Sequence, residues 1–285
     1  MSNAGGAPYQ GHFVPWDGGC LLIGRGGSVV PVHAHYAIQI AFGSTPGIRF
    51  RTGEGEPWAE YGGAIIASRQ PHSMDATHVS PNAVLFVEPE TREGRTLAER
   101  YLGGGIAHVP NDVLELVPPL FAVWEDAWQG RQTERDVADA ARRIVQALTG
   151  GVPSVMSDER ILRAIAYIRA NLDRPLTLDE VAAEACLSPG RFRHLFVEQT
   201  GMGLRPYLLW RRFLRVWELL MAGETLSSAA HAAGFADAAH LSRTSRSMFG
   251  LPPSALQMLG ALSGDRDAAP GQPLHSIPGR PAGAS

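Results

Sequence analysis

One stretch that occurs twice decides the fold of the last third of the chain: Thr177-Leu-Asp-Glu-Val-Ala-Ala-Glu-Ala-Cys-Leu-Ser-Pro-Gly-Arg-Phe-Arg-His-Leu-Phe196, ending at Gly201, and Thr225-Leu-Ser-Ser-Ala-Ala-His-Ala-Ala-Gly-Phe-Ala-Asp-Ala-Ala-His-Leu-Ser-Arg243, ending at Gly250. Each copy has a short Ala-rich segment, a turn, and a second segment with arginines on its polar side. Two helices joined by a tight turn are the outline of a helix-turn-helix, which places its second helix in the major groove of DNA. The duplication therefore predicts two DNA-reading units.

The helix starts of the first copy are marked by capping residues. Thr177 and Glu180 have the spacing of a capping box, which satisfies two backbone N–H groups at a helix start. Ser188 is suited to cap the second helix, and Pro189 occupies its first position, where the missing N–H costs nothing. The residues that this second helix is expected to present to a DNA groove are Gly190, Arg191, Arg193 and His194.

The second copy differs from the first in its core positions. Asp237 is the expected N-cap, and Leu241 replaces the inward-facing Phe192 of the first copy. Ser245 stands where the first copy has Phe196, which removes a large apolar contact and predicts a looser second unit. The candidate groove-facing residues of this copy are His240, Ser242, Arg243 and Arg246.

A single long helix is predicted between the copies, over residues 205–222, with Pro206 in its first turn and Gly223 after its end. Its length of ~27 Å approaches the ~34 Å that separates two major grooves on one face of DNA. Its polar members are arginines, and the sequence leaves open whether they contact phosphate or pair with acidic residues inside the domain. They are Arg211, Arg212 and Arg215.

These residues resemble the AraC/XylS family of bacterial transcription regulators over about residues 158–258. The family's first signature is met by Ser188, Pro189, Phe196, Thr200, Gly201, Pro206 and Arg212. Its second, more specific signature is met by Gly234, Phe235, Asp237, His240, Ser242, Arg243, Phe249, Gly250 and Pro253. The departures are His194 where Arg is common, Ser245 where Phe is usual, and Leu256-Gln257 where Tyr-Arg is frequent. The resemblance implies a regulator that binds double-stranded DNA, responds to a small-molecule effector, forms a homodimer in some members, and contacts RNA polymerase if it is an activator.

The first half of the chain has the pattern of a small β-structure. Short apolar runs rich in β-branched residues are separated by turn signals between residues 19 and 90, which favours an antiparallel barrel or sandwich. The periodicity then changes to that of helices, interrupted by Pro118-Pro119. The fold class predicted for the whole chain is α+β: an N-terminal cupin-like β-barrel, a helical connecting segment, and a C-terminal all-α domain with two helix-turn-helix subdomains.

A histidine cluster is predicted in this barrel. The stretch Gly27-Ser-Val-Val-Pro-Val-His33-Ala-His35-Tyr-Ala-Ile-Gln39 has the spacing of the first cupin motif, and His72 stands about where the second motif brings its last histidine. On an extended chain His33, His35 and Gln39 share one face. Three imidazoles and an amide oxygen would hold a divalent metal, although Gln39 replaces the more usual Glu and removes the anionic ligand. Alternatively, the four residues orient a small organic ligand, or they have a structural role only.

These changes of pattern divide the chain into four parts. They are a cupin-like sensor domain (1–105), a helical connector that is a candidate dimerisation segment (106–152), an AraC-type DNA-binding domain (155–259) and a disordered tail (260–285). Tyr36, Trp58 and Tyr61 either line a pocket in the sensor domain or fill its core.

Composition narrows the class of protein further. The net charge is −3, and residues 157–259 hold twelve arginines against ten acidic residues, so DNA affinity has to come from arginines placed on one face. The chain has no apolar run of the ~18–20 residues that cross a bilayer and no secretory signal, which predicts a cytoplasmic protein without membrane contact. Cys20 and Cys186 are too few for a disulfide framework or a four-thiolate zinc site, and Cys186 is expected to pack inside the first helix pair.

Two functions follow from the motifs. The first is a sequence-specific, ligand-responsive transcription regulator that is not an enzyme, with a divalent metal as a possible cofactor. The alternative is a metal-dependent cupin enzyme or metal sensor fused to a DNA-binding domain. Metal content and DNA binding distinguish the two.

Overall fold

The computed structural model describes residues 9–103, 105–150 and 158–258. Its N-terminal part is rich in β-sheet and its C-terminal part is helical, which agrees with the predicted mixture of strands and helices. The predicted tail at 260–285, and the predicted linker at 150–153 except Gly150, lie outside the described residues.

The strands form two sheets. They are β1 (Tyr9–Trp16), β2 (Gly19–Arg25), β3 (Val29–His33), β4 (Ile38–Gly43), β5 (Ile48–Arg51), β6 (Ala59–Tyr61), β7 (Gly63–Ile66), β8 (His72–Asp75), β9 (Asn82–Val87), β10 (Ile106–His108) and β11 (Leu256–Met258). One sheet has the order β10-β7-β4-β9-β2-β1-β11 and the other β3-β8-β5-β6. Within the described parts of the chain the sheets share no strand, so their hydrogen bonds do not close the barrel that the sequence predicts.

The central strands β4 and β9 are buried on both faces. Because side chains alternate along a strand, Ile38, Ile40 and Phe42 point to a core shared with helices, while Ala41 points to a core shared with the second sheet. Gln39 faces the same way as Ala41 and contacts His72 of β8. The alternation therefore directs a polar side chain into the space between the two sheets.

Four helices belong to the first half of the chain: α1 (Arg92–Tyr101), α2 (Asn111–Leu114), α3 (Val117–Trp128) and α4 (Glu134–Thr149). The prediction of one helix broken by Pro118-Pro119 was wrong in detail, because both prolines lie in the first turn of α3, where no N–H is needed. The apolar side of α4, including Ile144 and Leu148, is buried in one core with Trp124 and the seven-stranded sheet. The periodic face that suggested dimerisation is thus covered within the chain.

The C-terminal part contains α5 (Glu159–Ala170), α6 (Leu178–Glu184), α7 (Pro189–Thr200), α8 (Leu204–Met221), α9 (Leu226–Ala232) and α10 (Ala238–Phe249). The pairs α6–α7 and α9–α10 precede and follow α8, whose bounds differ by one residue from those predicted. Thr177, Ser188 and Asp237 cap α6, α7 and α10 by accepting a backbone N–H, as their positions predict. The cores of both pairs meet the aromatic side of α8.

Two local expectations in the first pair were wrong. Glu180 does not complete a capping box, because its carboxylate accepts hydrogen bonds from Tyr167 and Arg174 instead. Cys186 does not pack inside the pair: it is exposed and has a φ of 54°, because the turn requires a left-handed residue. The corresponding position of the second copy is Gly234, with a φ of 80°.

The last described strand connects the two parts of the chain. β11 follows α10 and pairs in parallel with β1, so the end of the helical part adds an edge strand to the seven-stranded sheet. None of the helices in the described residues is long and apolar enough to cross a membrane.

Candidate functional site

The predicted groove-facing residues of α7 lie at the surface. Gly190, Arg191, Arg193 and His194 are exposed, whereas the opposite side of the helix is buried. Neither arginine forms an ion pair with any residue that the structure describes. Both guanidinium groups are therefore accessible to phosphates or base edges.

The predicted residues of α10 have a different environment. Arg243 and Arg246 are exposed, whereas His240 and Ser242 are half-buried. Arg243 lines an open cleft of about 520 Å³ together with Arg69 of the sheet-rich part. One side of α10 consequently faces the sheets.

Of the four arginines of α8, the three that were named from the sequence have partners within the chain. Arg211 contacts the carboxylate of Glu88, which is 1% exposed. Arg212 donates hydrogen bonds to two backbone carbonyl groups, and burial lowers its pKa. Arg215 pairs with Glu218 of its own helix at the surface.

Two buried carboxylates join the sheet-rich part to the helical part. Glu88 accepts hydrogen bonds from Arg211 of α8 and from Arg169 of α5, the latter at 2.8 Å. Glu90 accepts hydrogen bonds from the hydroxyl groups of Tyr36 and Tyr207, at 2.5 and 3.1 Å. Burial, together with the charge of Glu88, raises the pKa of Glu90 to about 7. These contacts fix the orientation of α8 relative to the sheets.

The predicted histidine cluster forms between the sheets. His33, His35 and His72 are buried, and one ring nitrogen of each lies within 4.8 Å of the others. The Nδ1 atoms of the three rings lie 2.9 Å from the carbonyl oxygens of Pro31, Ala37 and Gln70. Burial lowers the pKa of all three histidines, to about 3 for His35 and about 2 for His72. The rings are therefore neutral near pH 7.

The donor set of this cluster fits a divalent metal ion. Because each Nδ1 donates to a carbonyl, each Nε2 carries a lone pair, which is the usual arrangement of metal-binding histidines. Oε1 of Gln39 lies 2.7 Å from Nε2 of His35 and 3.3 Å from Nε2 of His72. The Gln39 oxygen and the two Nε2 atoms are all acceptors, so a cation or a proton has to lie between them. Alternatively, the Gln39 amide is turned so that its NH₂ group donates to the rings.

A small cavity lies beside the histidines. Its volume is about 90 Å³, and Leu22, Met74 and Val84 of the sheets line it together with Trp217 and Phe249 of the helical part. The ring of Phe249, the last residue of α10, stacks on His35 with a centroid distance of 6.0 Å. One wall of the cavity is thus formed by the helix that carries the second predicted DNA-reading set.

Several residues of this region were not identified from the sequence. The motifs gave Phe249 only as a family match, and they gave no role to Glu88 or Glu90. Of the three aromatic residues left open, Tyr36 and Tyr61 are buried, and Trp58 is half-buried under the guanidinium of Arg51. An acidic pair after an apolar strand was the available signal for the carboxylates, but their partners lie 54 to 123 residues away along the chain.

Comparison with known proteins supports the helix-turn-helix prediction made from the sequence motifs. Residues 181–258 match the family described as a helix-turn-helix domain. The chain is 28% identical over 98 residues to the HTH-type transcriptional regulator ArgR of Pseudomonas aeruginosa, covering 34% of this chain and 30% of ArgR. It is 29% identical over 116 residues to the regulator GbdR of the same species, covering 40% of this chain and 28% of GbdR. It is 29% identical over 99 residues to the regulatory protein PocR of Salmonella typhimurium, covering 34% of this chain and 33% of PocR. The matched part of the chain spans about a third or less of the length of these relatives.

The fold extends the similarity beyond the C-terminal part. The crystal structure of ToxT from Vibrio cholerae has a TM-score of 0.53 and 11% sequence identity, covering 84% of this chain and 96% of ToxT. An apo form of a ToxT variant has a TM-score of 0.55 and 12% identity, covering 82% of this chain and 95% of that one. At such identities the likeness concerns the fold alone. The family match shows that residues 181–258 form a helix-turn-helix domain, as the sequence motifs predict.

Proposed function

We propose that this protein is a sequence-specific transcription regulator, which binds double-stranded DNA through α7 and α10 and a small effector through its sheet-rich part. The observation that carries the proposal is the pair of capped helices, α7 and α10, each with exposed arginines, on either side of the stiff helix α8. We divide the chain into a cupin-like sensor (1–105), a connector (106–152) and a DNA-binding domain with two helix-turn-helix units (155–259).

The DNA contacts are assigned from the sequence motifs, and all of these residues except the half-buried His240 and Ser242 are exposed. On α7 we assign them to Gly190, Arg191, Arg193 and His194, and on α10 to His240, Ser242, Arg243 and Arg246. Guanidinium groups contact phosphates or read guanine, and a glycine at a helix start allows close approach to the DNA backbone. Because the domain carries little net positive charge, these few arginines supply most of the electrostatic affinity.

The test is DNA binding by the full chain and by arginine variants. DNA selected from a random pool is titrated with wild type, Arg193→Ala and Arg243→Ala at increasing salt. We expect each variant to lose about 1–3 kcal/mol of binding free energy and, where the arginine contacts phosphate, to reduce the salt slope by about one. Arg135→Ala, an exposed arginine of α4, is the matched control. Unchanged affinity in both helix variants would refute the assignment.

The effector is assigned to the cavity and the histidine cluster, that is, to His33, His35, Gln39 and His72. ToxT, a protein of similar fold, has been solved with an unsaturated fatty acid bound, at a TM-score of 0.50. This supports a small-molecule site in a chain of this fold, without indicating which molecule binds here.

The second candidate is a metal sensor or metal-dependent cupin enzyme with a DNA-binding domain. It is favoured by the three converging nitrogens of His33, His35 and His72, with the amide oxygen of Gln39 as a fourth ligand. Zinc and nickel titrations of wild type, His33→Ala and the control His78→Ala, an exposed histidine, test it. Stoichiometric metal binding that is lost in His33→Ala but not in His78→Ala supports a metal site. Protein that contains no metal and still binds DNA rules out this second candidate.

The remaining assignments belong to the same proposal. ArgR and GbdR are HTH-type transcriptional regulators and PocR is a regulatory protein, and we assign the chain no catalytic activity. We place it in the cytoplasm, with RNA polymerase as a partner if it activates transcription. A homodimer would use surfaces other than the buried side of α4, and light scattering of the purified chain at increasing concentration measures it.

A further inference from the structure

The cavity beside the histidines is formed by both parts of the chain. Besides the apolar side chains of the sheets, its wall includes Trp217 of α8, Phe249 of α10 and Leu251 beyond it. No Arg, Lys, Asp or Glu lines it among the residues that the structure describes. A charged ligand would therefore lose its hydration without gaining an opposite charge, which is strongly unfavourable in an apolar site.

The wall does offer hydrogen bonds to an uncharged molecule. Tyr9 lines the cavity, and its hydroxyl group is buried and has no hydrogen-bond partner within the described residues. Gln39 also lines the cavity. A buried hydroxyl without a partner costs free energy, which a ligand oxygen would recover by accepting its hydrogen.

The cavity is too small for such a ligand unless one side moves. Its volume of about 90 Å³ is smaller than the ~150 Å³ cavity that holds benzene in an engineered protein. Phe249 is the side chain placed to move, because α10 ends there and Gly250 follows with a φ of 72°. The ring of Phe249 contacts Phe213 at a centroid distance of 4.3 Å and stacks on His35.

We propose that the effector is an uncharged, mainly aromatic small molecule that displaces the ring of Phe249, and that this displacement releases α10 from the sheets. The inference rests on the proposed function and specifies the ligand class of the same site. Arg243 and Arg246 lie less than two turns before Phe249 on α10, so a shift of the helix end changes the second DNA-reading set directly. Because the two binding events are linked, ligand and DNA each raise the affinity for the other.

A matched pair of probes tests the ligand class. Benzamide and benzoate have nearly the same shape and differ in charge. Binding to the full chain is followed by tryptophan fluorescence, since Trp217 lines the cavity, and by the unfolding temperature, with EDTA present to exclude binding through a metal. We expect benzamide to bind at about millimolar concentration and benzoate at least about ten-fold more weakly. Equal or tighter binding of benzoate would overturn the assignment.

The role of Phe249 is tested separately. Phe249→Ala opens the space that the ring fills, so benzamide is expected to bind at least about ten-fold more tightly than to wild type. Phe249→Met keeps most of the volume with a flexible side chain and is the matched control. If Phe249→Ala does not fold, Phe249→Val gives the same comparison. Unchanged benzamide affinity in the enlarged variant, or no binding to either protein at about 10 mM, would overturn the displacement.

The DNA measurement separates this inference from the proposed function. Selected DNA is titrated with and without saturating benzamide. An affinity increase of at least about three-fold in wild type, absent in Phe249→Ala, supports the coupling. Unchanged DNA affinity refutes the coupling. A chain that binds benzamide but no DNA refutes the proposed function and leaves the ligand assignment standing.

Discussion

Replacement of Arg211 by Ala is the sharpest test of how the two parts of the chain are held together. Glu88 is 1% exposed and accepts hydrogen bonds from two guanidinium groups, of which Arg211 is the more buried, with 14% of its side chain exposed against 31% for Arg169. In the Arg211→Ala variant, the buried carboxylate of Glu88 keeps only one cationic partner, Arg169. Loss of one charge-assisted hydrogen bond costs about 1.5–3 kcal/mol, and removal of a sole partner costs about 3–5 kcal/mol. Because Arg169 remains at 2.8 Å, we expect a loss of about 2–3 kcal/mol in the free energy of unfolding.

Urea unfolding near neutral pH, followed by circular dichroism and tryptophan fluorescence, measures this loss. Arg215→Ala is the matched control, because Arg215 lies on the same helix and its pair with Glu218 is 48% and 37% exposed. Exposed pairs contribute little, so the control should lose less than about 0.5 kcal/mol. We also expect the Arg211→Ala transition to broaden or split, since Glu88 connects the sheets to α8.

A double-mutant cycle with Glu88→Gln separates the pair from nonspecific damage. If Arg211 acts through the carboxylate, its replacement should cost much less in the Glu88→Gln background, with a coupling of at least about 1 kcal/mol. Equal costs in both backgrounds, or a loss in Arg211→Ala no larger than in Arg215→Ala, would refute the electrostatic explanation.

Three further predictions concern stability. Because the pKa of Glu90 is raised from 4.5 to about 7, its protonated form stabilises the fold at low pH. This contribution of up to about 3 kcal/mol to the free energy of unfolding is lost as the pH rises to 7. Urea unfolding of Glu90→Gln at a series of pH values should not show that loss. Burial lowers the pKa of His35 to about 3 and of His72 to about 2. Lowering the pH from 6.5 to about 5, with EDTA present, should therefore reduce the free energy of unfolding by about 2 kcal/mol for each histidine. Urea midpoints that do not change over this pH range would contradict the prediction. Ser188→Ala should lower the free energy of unfolding by about 1 kcal/mol through loss of the α7 cap, whereas Ser227→Ala, at an exposed site of α9, should not.

The helices of the C-terminal part could be predicted from the sequence because their signals are local. Ser188 and Asp237 act within one turn of the helices that they cap, and Pro189 fixes a helix start by its own geometry. The histidine cluster could also be predicted from the sequence, because alternation along a strand places His33 and His35 on one side and a second cupin-like segment supplies His72. In each case the deciding interaction spans a few residues or follows a known spacing.

The contacts between the two parts could not be predicted, because they depend on packing over long distances in the sequence. Nothing in the sequence around Arg211 indicates whether its guanidinium group pairs with Glu88 or contacts a DNA phosphate. Glu180 has the spacing of a capping box, yet tertiary neighbours at Tyr167 and Arg174 compete successfully for its carboxylate. The pairing of β11 with β1 likewise requires the whole fold to bring the ends together.

The two helix pairs differ in a way that bears on regulation. At matched positions, the first pair has Phe196 followed one turn later by Thr200, whereas the second has Ser245 followed by Phe249. In the first pair Phe196 fills the core of its own pair, and the hydroxyl of Thr200 donates to the carbonyl of Phe196. In the second pair Ser245 donates to the carbonyl of Leu251, and the aromatic ring, displaced by one turn, packs partly on the sheets.

The exchange of phenylalanine and hydroxyl residues places the last aromatic ring of the second pair between α8 and the sheet-rich part: Phe249 stacks on Phe213 of α8 and also packs on His35. In the first pair, Phe196 packs on Phe192 and edge-on against Tyr207 of α8, and neither phenylalanine has a ring contact with the sheets among the described residues. A change at the histidine cluster acts on α10 directly through Phe249, whereas its path to Phe196 of α7 runs through Tyr36 and Tyr207. If the chain binds DNA and an effector as proposed, the contact made by α10 is therefore the one that an effector at the histidines would alter most directly.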